Sequence, residues 1–209
     1  MKQRFARWLL EFLGWTLEGA KPQQERYVLI AAHHTSNWDF PLMLAFAAAF
    51  DIRVTWMGKH SLFFPPVGWI MRMMGGMPII RDKNKNVVAS MVDLFKQSSR
   101  LVLVVPTEGT RDRTEHWKSG FYHIARGADV PVILSYLDVG KKVGGIGPAI
   151  ELTGDFRADM DRIREFYAGM QGFRPENIGV IRLREEDVEE VVDHDGTGPD
   201  EIERLAGNL

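Results

Sequence analysis

Short apolar runs and stretches of helical period alternate along the first 140 residues of the chain. Apolar runs of strand length occur at Tyr27–Ala32, Ile52–Met57, Met77–Ile80, Leu101–Pro106 and Pro131–Asp138. Between them, Phe40–Phe50, Pro65–Met74, Asn86–Ser98 and Lys118–Gly127 have the length and spacing of helices. This order predicts an α/β fold, a single layered domain with a mostly parallel central sheet flanked by helices. Beyond it, Gly140 to Gly147 reads as a glycine-rich turn, followed by a short strand around Ile150 and a helix near Phe156–Gln171. Ile178–Leu183 reads as an edge strand, and from Glu185 acidic residues dominate, as in a solvated, flexible tail.

The N-terminus has a different pattern. Leu9, Leu10, Phe12, Leu13, Trp15 and Leu17 follow Lys2, Arg4 and Arg7, which predicts an amphipathic helix over residues 1–20. Basic residues beside Trp, Phe and Leu suit a helix lying in a lipid interface; a helix docked on the domain core has the same pattern. The expected organisation is a membrane-association helix (1–20), a single domain (21–184) and an acidic tail (185–209). The segment Leu62–Met74 is also unusually apolar, with one charge, and is a second candidate for lipid contact.

In open α/β sheets, ligands gather at the carboxyl ends of the parallel strands. His34 follows the first predicted strand, Lys59 the second, Arg81 the third, and Glu108-Gly109-Thr110-Arg111 the fourth. His34 stands out because Asp39 lies five residues later, where a helix should begin. A turn through Thr35-Ser36-Asn37 can fold that carboxylate back onto one ring nitrogen and leave the other free to take a proton. This is part of a serine-hydrolase triad with no serine, so the nucleophile can be a substrate hydroxyl. Asp39 also suits a helix N-terminus by charge alone. Gly109 permits a tight turn, Thr110 offers a hydroxyl, and Arg111 a planar fork suited to phosphate or carboxylate. Histidines 33, 60, 116, 123 and 194 have no such second feature.

Composition narrows the chemistry. The chain has 209 residues, a formal net charge of −2 and no cysteine. The charge makes no case for nucleic acid as a partner, and thiol catalysis, disulfides and thiolate metal sites are excluded. No run approaches the roughly 20 apolar residues needed to span a bilayer. A serine hydrolase lacks its Gly-x-Ser-x-Gly elbow, and no His-Glu-x-x-His pattern is present. A metalloenzyme built on His33, His34, Asp39 and His60 remains an alternative, as does a lipid-binding or membrane-scaffold protein without turnover.

Four blocks occur in a telling order: His34-x4-Asp39, Gly75–Arg81, Glu108-Gly109-Thr110-Arg111, and the apolar strand opened by Pro131. Together they resemble the signature blocks of the glycerolipid acyltransferases, the 1-acylglycerol-3-phosphate acyltransferase superfamily. The similarity covers roughly residues 25–140, and Trp117–Ala125 resembles the segment after the third block in short bacterial members. The resemblance implies that His34 is the general base, with Asp39 orienting it, for transfer of an acyl group from acyl-CoA or acyl carrier protein to a lysophospholipid hydroxyl. Glu108 would contact the acceptor's glycerol hydroxyl or order the loop. Arg81, Arg111 and Lys59 would hold the acceptor's phosphate, while Gly109 and Thr110 build the turn. No metal or cofactor is implied, and the expected location is peripheral, on the cytoplasmic face of the cell membrane. Two positions depart from the pattern: His33 stands where the family often has Asn, and Thr107 where the third block usually has Pro.

Overall fold

Side chains of the first long apolar run are shared between two layers. Val28, Ile30 and Ala32 enter one cluster, while Tyr27, Leu29 and Ala31 enter another on the opposite side. A strand buried on both faces is what a central parallel strand requires. The computed structural model describes residues 1–79 and 84–187. In chain order it comprises α1 (Lys2–Phe12), β1 (Thr16–Glu18), β2 (Arg26–Ala32), α2 (Asp39–Ala49), β3 (Val54–Lys59), a 3-10 turn (His60–Phe63), α3 (Val67–Met73) and β4 (Gly76–Ile79). There follow α4 (Asn84–Gln97), β5 (Leu101–Val105), α5 (Gly120–Ala128), β6 (Val132–Asp138), β7 (Val143–Ile150), α6 (Phe156–Tyr167) and a 3-10 turn at Pro175–Asn177.

Among the described residues, seven strands form one sheet in the order β1-β7-β6-β2-β5-β3-β4. Every neighbouring pair is parallel except β6 with β7. The α/β expectation therefore holds, and the strands β2, β3, β4 and β5 all end at one edge. Helices α4, α5 and α6 pack on one face through Phe95, Phe121, Ile124, Met160 and Ile163. On the other face α1 lies on α2, with Ala6 and Leu10 buried beside Phe46, Ala49 and Phe50. The Gln3 amide and the Arg7 guanidinium each donate to the Ala49 carbonyl at 3.2 Å, satisfying a carbonyl at the end of α2.

Four expectations change. The N-terminal helix ends at Phe12, and Thr16–Glu18 pairs with Val143–Gly145 as a sheet edge. Gly140–Gly147 is mostly strand rather than turn, because these glycines admit close neighbours. A Cβ at Gly144 would sit 2.4 Å from the Phe46 ring, and one at Gly145 would sit 2.2 Å from the Glu18 carbonyl oxygen. Ile178–Leu183 forms no strand; its apolar residues are used by burying Leu183 in the core. The start of the expected tail is held: Glu185 meets His123 at 3.2 Å, Glu186 meets Arg164 at 2.8 Å, and Asp187 meets His116 at 2.7 Å. Residues 188–209 lie outside the described residues.

Candidate active site

The turn from β2 into α2 is built around one carboxylate. Asp39, the first residue of α2, accepts the Thr35 and Ser36 N–H groups on Oδ2 at 2.9 and 2.8 Å. The same oxygen lies 3.0 Å from His34 Nδ1. Pro41 sits in the first turn of α2, where a missing N–H costs nothing. Three donors on one oxygen fix the ring with Nδ1 towards the carboxylate, so Nε2 is the nitrogen left for chemistry. The other oxygen, Asp39 Oδ1, is buried and accepts no hydrogen bond among the described residues.

His34 lines a cavity of about 830 Å³ between α2 and the sheet. Its depth is apolar, with Leu29, Met43, Phe46, Val54, Val104 and Ile146 on the walls. Its mouth is polar, formed by the His34 turn, Lys59 at the end of β3, and Thr110 and Arg111 after β5. The expected convergence of residues from several strand ends is therefore present for His34, Asp39, Lys59, Gly109, Thr110 and Arg111. Arg81 lies outside the described residues.

Gly109 turns with φ +67°, a left-handed conformation suited to glycine, and a Cβ there would meet the Lys118 side chain at 2.9 Å. Thr110 Oγ1 accepts the Asp112 N–H at 3.2 Å and closes the turn. One nitrogen of the exposed Arg111 guanidinium donates to Asn37 Oδ1, tying the two loops together across the mouth. Glu108 is the exception. It is buried, does not line the cavity, and accepts the main-chain N–H of His34 on Oε1 at 3.1 Å.

Two functional candidates had no signal in the sequence. Arg174 reaches the mouth from the loop after α6. Its main-chain N–H donates to Thr35 Oγ1 at 3.1 Å, and Gly172 packs so closely that a Cβ would lie 2.6 Å from that oxygen. Tyr136 also lines the cavity, and its hydroxyl donates to Glu18 at 2.6 Å. Burial first, then that hydrogen bond, push the Tyr136 phenol well above its ordinary value, so it stays a neutral donor.

The sequence model of the family described as Acyltransferase matches residues 15–135, more than half of the chain. The chain belongs to the acyltransferase family. The crystal structure of the 1-acyl-sn-glycerophosphate (LPA) acyltransferase PlsC from Thermotoga maritima is similar to it, with a TM-score of 0.52 and 16% identity over 81% of this chain and 80% of that one. At that identity the likeness establishes a shared fold. No curated protein matches in sequence. The metal alternative finds no cluster: His33 faces Glu108 and His34 faces Asp39. Among the described residues, no group of three or more His, Cys, Asp or Glu side chains gathers as a metal site needs.

Proposed function

We propose that this acyltransferase moves a fatty acyl group from an acyl thioester, acyl-CoA or acyl carrier protein, to the free hydroxyl of a lysophospholipid such as 1-acylglycerol-3-phosphate. The observation that carries this reading is the 3.0 Å contact of His34 with Asp39 at the polar mouth of an apolar cavity. Binding a lipid chain needs the cavity alone; a base held by a buried carboxylate serves proton transfer.

In this mechanism the acyl chain lies along Leu29, Met43 and Phe46, and the thioester carbonyl stands at the mouth. His34 Nε2 takes the proton of the acceptor hydroxyl as its oxygen bonds to the carbonyl carbon. Asp39 stabilises the imidazolium that forms. When the intermediate collapses, the carbon–sulfur bond breaks and the thiolate leaves with the proton from Nε2. Lys59, Arg111 and Arg174 hold the acceptor's phosphate. The family resemblance gives Arg81 the same task.

A lipid substrate requires access to a surface of lipid. The outward side of α1 carries Phe5, Trp8 and Phe12, which are 61%, 56% and 74% exposed. Their rings lie 5.8 and 5.6 Å apart in sequence, forming a continuous aromatic strip. Phe64, Trp69 and Met73 project from the segment around α3, and Trp38 from the cavity mouth. No described helix is long and apolar enough to cross a membrane. These residues suit peripheral binding in one leaflet, on the cytoplasmic face where the thioester donors occur.

The test is release of free thiol from palmitoyl-CoA, with and without 1-acylglycerol-3-phosphate. Acceptor-dependent release is expected, reduced at least about 10²-fold in His34→Ala, the scale of a general base. Turnover retained in His34→Ala would remove His34 as the base. Lipid exchange without thioester cleavage would favour the binding-protein alternative.

A further inference from the structure

The two positions that depart from the family pattern meet at the same carboxylate. The parallel register pairs Ile30 with Val105. His33 and Glu108 each lie three residues beyond that pair, so β2 and β5 deliver them side by side. His33 Nδ1 is 3.6 Å from Glu108 Oε1, with both side chains sealed from solvent. Thr107, fully buried, donates its hydroxyl to Glu108 Oε2 at 3.4 Å. The main-chain N–H of His34 donates to Oε1 at 3.1 Å.

From these contacts, and resting on the reading of His34 as the base, we infer that Glu108 with His33 is a positioning pair that holds the His34 main chain. Glu108 is not a ligand of the acceptor. Pro106, Gly109, Thr110 and Arg111 line the cavity on either side of Glu108, which itself turns inward. The side chain of Glu108 is 5% exposed, against 25% for His34.

The cost of burying a carboxylate shows why the partners occur together. An unpaired buried charge is strongly unfavourable. The ordinary pattern would leave this one with fewer ionisable or hydroxyl partners, and His33 and Thr107 supply both. Beneath them, Tyr167 is fixed by donating to the Ser135 carbonyl at 2.8 Å, and its ring is 5.9 Å from that of His33. Burial, and after it the Glu108 charge, hold the Tyr167 phenol far above its ordinary range, so it adds no second negative charge here. The pair thus rests on a rigid floor and acts on His34 through one main-chain hydrogen bond. The benefit is geometric: displacing a base by about 1 Å can cost about 10²-fold in rate.

The experiment compares Glu108→Ala, Glu108→Gln, His33→Leu and His33→Asn in the full chain, with palmitoyl-CoA and 1-acylglycerol-3-phosphate. Glu108→Ala is expected to lower kcat by about 10²-fold, with acceptor KM within about twofold of the parent. Glu108→Gln keeps an acceptor for the His34 N–H and should recover part of that loss. His33→Asn keeps a donor facing Glu108 and should recover most of what His33→Leu loses. The ring-nitrogen chemical shifts of His34, read without substrate, should report an Nδ1–H tautomer in the parent and a mixture in Glu108→Ala. A rise in acceptor KM of about tenfold with kcat retained would instead make Glu108 an acceptor ligand. Unchanged His34 shifts in all four variants would also overturn the inference. His34→Ala is the control for the underlying mechanism: if it turns over, the base is misassigned. If it is dead while the Glu108 variants are unaffected, only the positioning role falls.

Discussion

The sheet face beneath α4, α5 and α6 is filled with side chains, whereas the face beneath α2 encloses about 830 Å³, although the same strands build both. The difference arises near the ends of the strands. Along the first half of β2, the start of β6 and the middle of β3, Tyr27, Leu29, Ile133 and Trp56 fill the α2 side. Nearer the carboxyl ends, that side presents Ala31, Gly58 and Ser135, all of which line the cavity. Small residues there leave the space between helix and sheet unfilled. One face specifies the fold and the other provides room for a ligand.

The largest test of this contrast is thermodynamic. Phe121, fully buried on the inner side of α5, should cost about 3–5 kcal/mol on replacement by Ala, because the removed ring leaves a void that packed neighbours cannot close. Met43 faces a cavity already present, and Met43→Ala should cost less than about 1.5 kcal/mol. Urea unfolding with constant slope gives both values. Equal losses would mean that the α2 face is as tightly packed as the other, and the contrast would fail.

The second test concerns the outside of the open face. Replacing Phe5, Trp8 and Phe12 together by Ser leaves Ala6 and Leu10 buried against α2, so the helix should stay docked. Removing three aromatic side chains from a lipid interface should weaken vesicle binding by about 10²-fold, at roughly 1 kcal/mol for each partly inserted ring. Flotation with phosphatidylglycerol vesicles measures this. Unchanged binding would shift the membrane contact to the residues around α3.

The same contrast explains what was legible in the sequence. The strands β2 and β5 are near-continuous apolar runs because both sides are buried, and the order of the apolar runs predicts which residues share an edge. His34 and Asp39 were legible because their contact is local, spanning one turn. Glu108 was recognisable as a site residue, but its partner was not. His33 lies 75 positions away, and only the register of β2 on β5 brings them together. Arg174 was invisible for the same reason, since its place depends on how the loop after α6 packs on Thr35. β7 reads as a turn because Gly144 and Gly145 give a turn-like composition, while their real constraint is the approach of Phe46 and β1. β1 is three residues long and pairs with a strand more than 120 residues later, too little pattern for any local signal.

The smallest expected effect tests the filled face through its charge. Asp159 is fully buried on α6. Its Oδ2 accepts the Tyr122 hydroxyl at 2.7 Å and the N–H groups of Thr153 and Gly154 at 2.9 and 3.3 Å. Its Oδ1 accepts the Thr153 hydroxyl at 3.0 Å and a nitrogen of Arg162. Burial alone would raise this carboxyl, but the hydrogen bonds from Tyr122 and Arg162 hold it below its ordinary value of 3.8. A lowered carboxyl contributes stability that is present above the unfolded value and is lost as pH falls through the folded one. The parent should therefore keep this contribution at neutral pH and lose it progressively below about pH 4. Asp159→Asn keeps the volume but turns an NH₂ group towards donors, and should cost about 1–3 kcal/mol at pH 7. The variant should also show a flatter decline in stability below pH 4, because this carboxyl no longer titrates. Urea unfolding at pH 7 and pH 3 distinguishes the outcomes: a constant gap between parent and variant would show that Asp159 acts by packing, whereas a gap that narrows in acid shows that its charge holds α6 to the filled face.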